Sequence, residues 1–434
     1  MNVIKQLWFL FKVFFIFSSE YLFLFFHADK LKFIDRLTQR LANVNILYVK
    51  VFQAIALNNS LIDENINNML LKFTDNAPWT KDDIDVDTLN ALKEDQQLVI
   101  CDGVYNPINS GMISLVFKAT RISDDSNVII KIKRRMIERK LKDAIDNLMF
   151  FMYVLSFFPF VKKFQLAEIV NKNIDIIKHQ INFDEEVENL LKIKNNCKHL
   201  KYVKIPAVFK EVTNKYPNVI LMEQIDGVPI NKVKEEDYEE FAKSILKFGF
   251  VTTLLHGVTH GDLHSGNILF IKDDNDKKYK HKIGVLDFGI VYEIDSQFKG
   301  VLFSVLTEMF NDPTEVTVKK LLYSGLIEPL ELVKSLADVH RNHIIKVSSE
   351  MLHDAIHNSQ CANQIQLYKF LVEFKKYISN PEISGLGLRP SDDFVKTQLV
   401  LAMAHGVTLT LCKDDYMTFA NKVINELFHT DIMM

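Results

Sequence analysis

Two runs of sequence decide how this chain is interpreted: VTHGDLHSGNILF at 258–270 and KIGVLDFGI at 282–290. A short polar insert separates them, and we expect it to be the tip of a hairpin. Two carboxylates, one carboxamide and two imidazoles fall on or beside two apolar runs typical of strands. Nothing else in the chain brings so many reactive groups together at such constrained spacing. We therefore predict a chemical site here and interpret the remaining sequence as its housing.

The spacing of the polar groups favours phosphoryl transfer. Transfer from ATP needs a carboxylate that orients or deprotonates the acceptor hydroxyl, and a carboxamide and a second carboxylate that hold magnesium. Asp262, Asn267 and Asp287 supply these three groups, and Asp262 and Asn267 are five residues apart, as the base and the asparagine are in kinases. Gly289 lets the chain turn after the third. We predict Asp262 as catalytic, Asn267 and Asp287 as metal ligands, and ATP (or ADP) with Mg as cofactors.

A transition-metal site is the alternative for this loop. His260, Asp262 and His264 are spaced i, i+2, i+4, but such a site needs further ligands, and none is identifiable in the sequence. We expect His260 to brace the loop instead.

Three short runs upstream, LVICDGVY, MISLVFKAT and NVIIKIK, predict a three-stranded meander. Alternation places Ile129, Lys131 and Lys133 on one face of the third strand. Taken alone, this pattern describes a half-exposed strand. After a loop and two strands, Lys131 resembles the lysine that grips phosphates in kinase-like folds, so we predict it as catalytic and nucleotide-binding.

The next segment, 136–200, is predicted to be helical, with Gln180, Glu186 and Asn189 as candidates for facing the site. Two further strands are expected, IPAVFKEV and NVILMEQIDGVPI. Residues 222–225 would form a hinge, where Glu223 and Ile225 would contact the nucleotide.

The amino-terminal run LWFLFKVFFIFSSEYLFLFF, at 7–26, contains sixteen apolar residues in twenty and is long enough to cross a bilayer. Lys12 and Glu20 oppose this, because a charge at mid-helix costs about 2.5–3.5 kcal/mol on insertion scales. A cleaved signal peptide is disfavoured, since Glu20 precedes any small-residue cleavage site. Three interpretations remain: a spanning helix, a helix on the membrane surface, or a phenylalanine-rich helix docked on the protein.

The composition excludes other classes. A formal net charge of -3 gives no sign of nucleic-acid binding. The four cysteines are far apart and form no CxxC pair, so neither a zinc cluster nor a disulfide framework is indicated. We expect buried free thiols.

Together the motifs resemble the UbiB-like (aarF-domain) atypical kinase family. The family's HGDLHxGN and DFG motifs match without a gap. Its VAVK strand corresponds to 128–131, and its Q-x-D-F-x-x-E-A-x-N helix corresponds to QINFDEEVEN at 180–189. Its Lys-x-Gly-Gln helix corresponds to 50–53, with Phe52 in place of glycine, and its alanine-rich nucleotide loop corresponds to PINSGMISLVFKA.

The resemblance implies an α+β, two-lobed protein-kinase-like fold with an N-terminal helical extension. The expected boundaries are a membrane-associating segment at 1–28, the extension at 29–95, the N-lobe at 96–225 and the C-lobe at 226–434.

The resemblance also implies residue roles. Gln180 aligns with the family's acidic partner of the strand lysine, and Glu186 is the other candidate partner of Lys131. The remaining implied roles are nucleotide binding by Asn109, Ser110 and Gly111, and regulation by Lys50 and Gln53.

The implied activity is an ATPase or phosphotransferase in membrane lipid or coenzyme Q metabolism. The alternative is a nucleotide-binding pseudokinase that acts as a scaffold or chaperone for lipid-biosynthesis proteins. The implied partners are a nucleotide, a lipid or small-molecule acceptor, a membrane surface and lipid-biosynthesis proteins, with no nucleic acid. The expected location is a membrane, mitochondrial if the chain is eukaryotic.

Overall fold

A computed structural model describes most of the chain as two compact units. The first comprises Met1–Glu188 with Pro206–Gln224, and the second comprises Asn189–Ile205 with Ile225–Met434. Lys50 and Gln53 lie outside the described residues. Those residues are 3–45, 47–48, 77–155, 157, 174, 178–308, 313–357, 367–412 and 416–430.

The first unit is built on a five-stranded antiparallel sheet in the order β1-β3-β4-β6, with β2 added beside β3. The predicted meander is therefore confirmed. Strands β3 and β4 pair along their whole length, from Ser114 opposite Lys133 to Arg121 opposite Ser126. The strands of this unit are β1 (Leu98–Ile100), β2 (Asn109–Ser110), β3 (Ser114–Arg121), β4 (Ser126–Lys133) and β6 (Val219–Glu223).

The two faces of this sheet are buried against different partners, because side chains alternate along each strand. Phe117, Ile130 and Leu221 lie on one face and are fully buried in the larger cluster. The other face packs against the helix that contains Phe183 and Val187. The face that carries Lys131 is thus an interior surface.

Helices surround this sheet. The first two helices form a hairpin that packs with the fourth, and Asn45 donates a hydrogen bond of 2.9 Å from Nδ2 to the carbonyl oxygen of Ala144. The helices are α1 (Val3–His27), α2 (Lys30–Val44), α3 (Val86–Asp95), α4 (Ile137–Leu155), α5 (Phe183–Asn196, which continues into the second unit) and α6 (Lys210–Lys215).

The expected strand at IPAVFKEV is wrong, because its second half is helix α6. Residues 207–209 do run beside β6, through hydrogen bonds of 2.9 Å from the Phe209 N–H to Leu221 O and 2.7 Å from the Glu223 N–H to Ala207 O. The chain then turns, and Val212 becomes buried in the cluster under the sheet.

The second unit combines small sheets with many helices. Strand β9 (His281–Val285) pairs with β8 (Ile268–Lys272) and, in parallel, with β5 (Val203–Lys204), and the polar insert is the β8–β9 connection, as predicted. Strand β7 (Val258–His260) pairs with β10 (Val291–Glu293). A third pair joins β11 (Ile327–Glu328) and β12 (Arg389–Pro390).

Helix α7 (Tyr238–Phe250) leads into β7 through a π-helical segment, Val251–His256, which ends at Gly257 with φ of +67°. The left-handed conformation of Gly257 stops the helix and turns the chain into the strand. The remaining helices are α8 (Ser296–Glu308), α9 (Thr314–Leu322), α10 (Leu330–Ser335), α11 (Asp338–His357), α12 (Leu367–Ile378), α13 (Pro381–Ser384), α14 (Asp392–Leu411) and α15 (Tyr416–Thr430).

The α+β fold class is confirmed. Two of the described helices, at Ile4–His27 and Asp392–Leu411, are long and apolar enough to cross a membrane by length and composition alone. Cys101, Cys197 and Cys412, the cysteines within the described residues, are free thiols, but burial was predicted correctly only for Cys197, since Cys101 is exposed and Cys412 is partly exposed.

Candidate active site

His260 braces the loop that follows β7. Its ring is fully buried, and Nδ1 accepts a hydrogen bond of 3.1 Å from the Asp262 N–H. Since Nδ1 accepts, Nε2 carries the proton and donates to Leu286 O at 3.0 Å. Burial lowers the pKa of His260, which favours this neutral tautomer. The imidazole thus ties the loop to the strand end just before Asp287, the bracing role that the sequence predicted.

Asn267 closes the same loop from its other end. Its Nδ2 donates to Asp262 O at 2.8 Å, and its backbone carbonyl accepts from the Leu286 N–H at 2.9 Å. The five-residue spacing in the motif is the length that this cross-loop hydrogen bond requires. Because the amide nitrogen is used inside the loop, the side-chain oxygen is the group suited to a cation.

Asp287 adopts an unusual backbone conformation, with φ of +56°. A residue other than glycine in the left-handed region costs free energy, and such residues cluster at functional sites. Its Oδ1 accepts from the Gly289 N–H at 3.1 Å. Phe288 is buried with its ring edge-on to His260, and Asn189 donates to Phe288 O at 3.2 Å. These contacts fix the direction of the Asp287 carboxylate.

The glycine before Asp262 is required by a close approach. A Cβ on Gly261 would lie 2.6 Å from Ile290 Cγ2 and 2.9 Å from Tyr292 Cε2. The same approach lets the Gly261 N–H donate to Ile290 O at 2.8 Å, which continues the β7–β10 pairing. A side chain here would separate the loop from β10.

The transition-metal alternative is not supported. Within the described residues, no group of three or more His, Cys, Asp or Glu side chains is arranged to hold a metal ion. Both ring nitrogens of His260 are engaged, and His264 Nδ1 accepts from the Gly266 N–H at 3.1 Å.

Magnesium fits the donor set better. It takes one or two protein oxygen ligands and completes its octahedron with phosphate oxygens and waters. Asp287 offers a carboxylate and Asn267 an amide oxygen, both on the backbone frame that His260 braces. This set is hard and poor in nitrogen, so it matches the predicted metal.

In the first unit, Lys131 lies on β4 with only 8% of its surface exposed. Its Nζ donates to Glu186 Oε1 at 2.6 Å and lies 5.7 Å from the centroid of the Phe183 ring. Glu186 is 3% exposed and occupies the first turn of α5. Of the two candidate partners, Glu186 therefore pairs with the strand lysine.

Gln180 lies before α5 begins, and its buried Oε1 has no hydrogen-bond partner within the described part of the chain. Helix α5 starts three residues later, at Phe183, after Asn182, whose Oδ1 accepts from the Glu185 N–H at 3.3 Å. This start places Glu186 one turn into the helix, opposite Lys131.

The predicted nucleotide loop is tied into the first unit. Ser110 is 3% exposed, and its hydroxyl donates to Ala77 O at 2.7 Å. Asn109 is exposed at the surface, and its Oδ1 accepts from the Ser110 N–H at 2.6 Å. Gly111 has room for a Cβ, whose nearest neighbours, both atoms of Ser114, would lie 3.7 Å away. Backbone groups and Asn109 are therefore what this loop presents to a ligand.

Arg134 is a residue that the sequence reasoning missed. It is 3% exposed and donates to Gly111 O from Nε at 3.0 Å and from Nη2 at 2.6 Å. It also donates to Pro78 O at 2.8 Å and pairs with Asp83 at 3.3 Å. The sequence does show an arginine directly after the strand of Lys131, but the residues that accept its hydrogen bonds lie more than twenty residues away in sequence.

The two hinge residues lie in different units. Glu223 ends β6, and its Oε2 accepts from the Ala207 N–H at 3.1 Å. Ile225 is buried in the second unit against Gly284, where a Cβ would come within 2.8 Å of the Ile225 side chain.

The sequence matches one family model. Residues 94–321 match the model described as "ABC1 atypical kinase-like domain". This range contains every predicted site residue except Lys50 and Gln53.

Among curated proteins, a "Probable protein kinase UbiB" from Shewanella sp. (strain W3-18-1) is 22% identical over 271 residues, which are 61% of this chain and 49% of that protein. The chain thus spans about half the length of the curated relatives it matches.

Two solved structures are also similar. The complex of Rv3197 with erythromycin from Mycobacterium tuberculosis has a TM-score of 0.47 at 16% identity and covers 87% of this chain and 90% of that one. The Rio2 kinase–ADP/Mg²⁺–phosphoaspartate complex from Chaetomium thermophilum has a TM-score of 0.28 at 15% identity, with coverages of 50% and 55%.

Proposed function

Because the chain belongs to the ABC1 atypical kinase-like family, as a UbiB-like member, we propose that it is a magnesium-dependent ATPase or phosphotransferase. The loop from His260 to Asn267 carries this proposal. In it a buried imidazole and a cross-loop amide hydrogen bond hold Asp262 and Asn267 against the strand end that precedes Asp287. A frame held from both ends is suited to catalysis, which depends on groups positioned before the reaction begins.

The residues of the second unit would act as follows. Asp262 orients the acceptor hydroxyl, or a water in the ATPase reaction, and takes its proton as the new oxygen–phosphorus bond forms and the bond from the γ-phosphorus to the bridging oxygen breaks, which releases ADP. Asn267 and Asp287 hold magnesium through oxygen atoms. When bound, the metal neutralises charge that develops on the phosphate oxygens. His260 stays neutral and keeps the loop in register.

The residues of the first unit would bind nucleotide. Lys131 donates to phosphate oxygens, and Glu186 fixes the direction of its ammonium group through the 2.6 Å hydrogen bond. Arg134 keeps the loop at Gly111 in one conformation. The other nucleotide-binding residues we propose are Asn109, Ser110, Gln180, Glu223 and Ile225.

We further propose that the protein acts on a lipid or small molecule in membrane lipid or coenzyme Q metabolism, at a membrane. The resemblance to UbiB-like proteins and the apolar helix α1 support this proposal. Lys50 and Gln53 are proposed as regulatory, and the lobes and extension keep the boundaries 1–28, 29–95, 96–225 and 226–434.

A nucleotide-binding scaffold for lipid-biosynthesis proteins is the second candidate. One observation favours it: the Ser110 hydroxyl points into the protein, to Ala77, and does not extend from the loop. The complete set of Asp262, Asn267 and Asp287 argues against it, since loss of activity would remove the need to keep the base and the magnesium ligands.

ATP turnover with magnesium and lipid vesicles tests the choice, beside Asp287→Asn and beside Asp274→Asn as a control at the exposed hairpin tip. We expect turnover by the wild type and by Asp274→Asn, and its loss in Asp287→Asn. Stabilisation by ADP and magnesium without turnover in any preparation would favour the scaffold. Neither binding nor turnover would contradict both proposals.

A further inference from the structure

Helix α1 has one buried side. The buried positions are spaced by three and four residues alternately, which places them in one stripe along the helix. The apolar members of this stripe, Phe9, Val13 and Ile16, belong to the same cluster as Leu41 of α2 and Leu141 of α4. The whole stripe is Gln6, Phe9, Val13, Ile16 and Glu20. Helix α1 is therefore docked lengthwise on the first unit.

Glu20 fixes this docking. Its side chain is fully buried, and it receives hydrogen bonds from Arg36 Nε at 2.7 Å and from Arg40 Nη1 at 2.5 Å. Ser19 also accepts from Arg40 Nη1, at 2.7 Å. A transmembrane position of α1 would take Glu20 away from both arginines and into the hydrocarbon layer. The charge that opposed spanning in the sequence is the group that holds the helix on the protein.

The opposite side of α1 is apolar and open. Phe11, Phe14 and Phe15 are 57–71% exposed, and Ile4, Phe25 and Phe26 exceed 70%. Soluble monomers rarely expose contiguous apolar patches larger than a few hundred Å², and larger ones mark interaction sites. We call this set the aromatic face, and its members are Ile4, Leu7, Trp8, Phe11, Phe14, Phe15, Phe17, Tyr21, Leu22, Phe25 and Phe26.

Two cations border the aromatic face. Lys5 and Lys12 are exposed and seven residues apart, so they lie on the same side of α1. At about 100° per residue, this side falls between the buried stripe and the aromatic face. Lys12 Nζ lies 5.6 Å from the ring centroid of Trp8. A helix lying in a membrane interface places its lysines at this level, where the ammonium groups reach anionic headgroups.

We propose that α1 lies in the plane of an anionic lipid surface, with the aromatic face inserted and the buried stripe still docked on the first unit. The helix binds the membrane without crossing it. The partner is the headgroup–acyl boundary of a bilayer that contains anionic lipid, because the aromatic face is apolar while its flank is cationic. This inference rests on the membrane association proposed above and does not depend on ATP chemistry.

Tryptophan depth tests the orientation in the full chain. The sequence contains two tryptophans, Trp8 and Trp79, so Trp79→Phe leaves Trp8 as the reporter. A second protein carries Trp8→Phe, Trp79→Phe and Phe15→Trp, which moves the reporter two turns along the same face. Both are mixed with phosphatidylcholine–phosphatidylglycerol vesicles whose acyl chains are brominated near to, or far from, the headgroup.

The two orientations predict different quenching. An in-plane helix holds both reporters at the same shallow depth, so both are quenched more by the shallow bromines. A spanning helix separates them by about 10 Å along the bilayer normal, since seven residues rise about 1.5 Å each. Stronger deep quenching at position 15 than at position 8 would overturn the proposal.

Substitutions test the surface itself. We expect Phe11→Ser with Phe15→Ser to weaken vesicle binding at least about tenfold, because each inserted phenylalanine takes a large apolar surface out of water. Lys12→Glu should weaken binding to anionic vesicles only. Ile122→Ser, at a residue of the first unit that is 64% exposed away from α1, should change nothing. The melting temperature without vesicles should stay constant, because none of these side chains is buried.

Two further results would overturn the proposal: no binding of the wild type to anionic vesicles, or a lipid-free dimer that shields Trp8 and is lost in Phe11→Ser with Phe15→Ser. ADP–magnesium binding is measured on the same samples without vesicles. Absence of vesicle binding by the wild type, with intact nucleotide binding, would reject the membrane surface and leave the ATP site standing.

Discussion

The two units hold their predicted site residues by different kinds of contact. In the second unit, Asp262, Asn267 and Asp287 are fixed by hydrogen bonds to backbone groups within a stretch of about thirty residues. In the first, Lys131 depends on Glu186, 55 residues away, and the loop at Gly111 depends on Arg134, 23 residues away.

The difference shows where this protein is sensitive to change. A loop that is held by hydrogen bonds to its own backbone is encoded by a short sequence motif, and here that motif is complete. A buried lysine that pairs with a carboxylate on another element tolerates changes in its surrounding motif. The condition is that one carboxylate stays within hydrogen-bonding distance of the lysine. The chain departs from the family's motifs at Asn109, where the nucleotide loop has alanine, and at Asn182, where the helix has aspartate, and both positions lie in the first unit.

The largest expected effect is on catalysis in the second unit. Asp262→Asn should lower ATP turnover by about 10³-fold, because general acid–base groups contribute about 10²–10⁴-fold. Nucleotide binding should persist, since Asn267 is held by a hydrogen bond to the backbone carbonyl of Asp262, which the substitution leaves in place. Steady-state kinetics measure the ATP turnover, and the thermal shift with ADP measures nucleotide binding. A loss of less than tenfold would show that Asp262 does not handle the proton.

The next effect is on stability in the first unit. Glu186→Gln should lower the free energy of unfolding by about 3 kcal/mol, because it removes the carboxylate that lies 2.6 Å from the buried Lys131 ammonium. Denaturant titration measures it, with Glu185→Gln as the matched control on the same helical turn, where the side chain is 40% exposed. Lys131→Met combined with Glu186→Leu should recover stability but not nucleotide binding. If it also binds nucleotide, Lys131 is structural.

A pair of glycines compares the two loops directly. Gly261→Ala should cost about 1–3 kcal/mol, because the new Cβ would clash with Ile290 and Tyr292. Gly111→Ala should change stability by less than about 0.5 kcal/mol, because the nearest atoms are 3.7 Å away. Melting temperatures of the two variants give the answer. Equal losses would mean that the loop at Gly111 is packed as tightly as the catalytic loop.

The smallest effects are on pH dependence. Burial, with His199 and Lys299 nearby, lowers the pKa of His256 to about 4. A group whose pKa is lowered by folding stabilises the folded state fully at pH values above its pKa in the unfolded chain, near 6.5. This stability is lost as the pH falls through the pKa of the folded state. The second unit should therefore lose on the order of 1 kcal/mol between pH 7 and pH 5, and His256→Phe should remove this loss in urea titrations.

The docking of α1 should respond at lower pH. Hydrogen bonds from Arg36, and then Arg40, hold the pKa of Glu20 below its usual value despite burial. The stability it adds is present above about pH 4.5 and is lost as pH falls through the lowered pKa. Trp8 fluorescence should thus be constant from pH 7 to pH 5 and change only in stronger acid. A transition near neutral pH would show that another group controls the docking.

Sequence reasoning recovered the meander, the hairpin insert and the bracing role of His260, because each depends on local alternation or spacing. The fold class came from the resemblance to a known family. Sequence reasoning failed at IPAVFKEV, where a helix begins at Lys210 and buries Val212. It also missed Arg134, whose acceptors at Gly111 and Pro78 come from distant parts of the chain. It left open whether Gln180 or Glu186 pairs with Lys131, because the answer depends on the residue at which α5 begins.

What the sequence by itself determined is the frame of the catalytic loop, since the hydrogen bonds of His260, Asn267 and Asp287 that hold it lie within 258–290. Only the tertiary structure decided that Lys131 is buried against Glu186, that Glu20 binds two arginines, and that one side of α1 is covered while the other is open. The physical reason is the distance along the sequence between the residues in contact. A local hydrogen bond is encoded in spacing, whereas burial of a charge or an apolar face depends on which distant element packs against it.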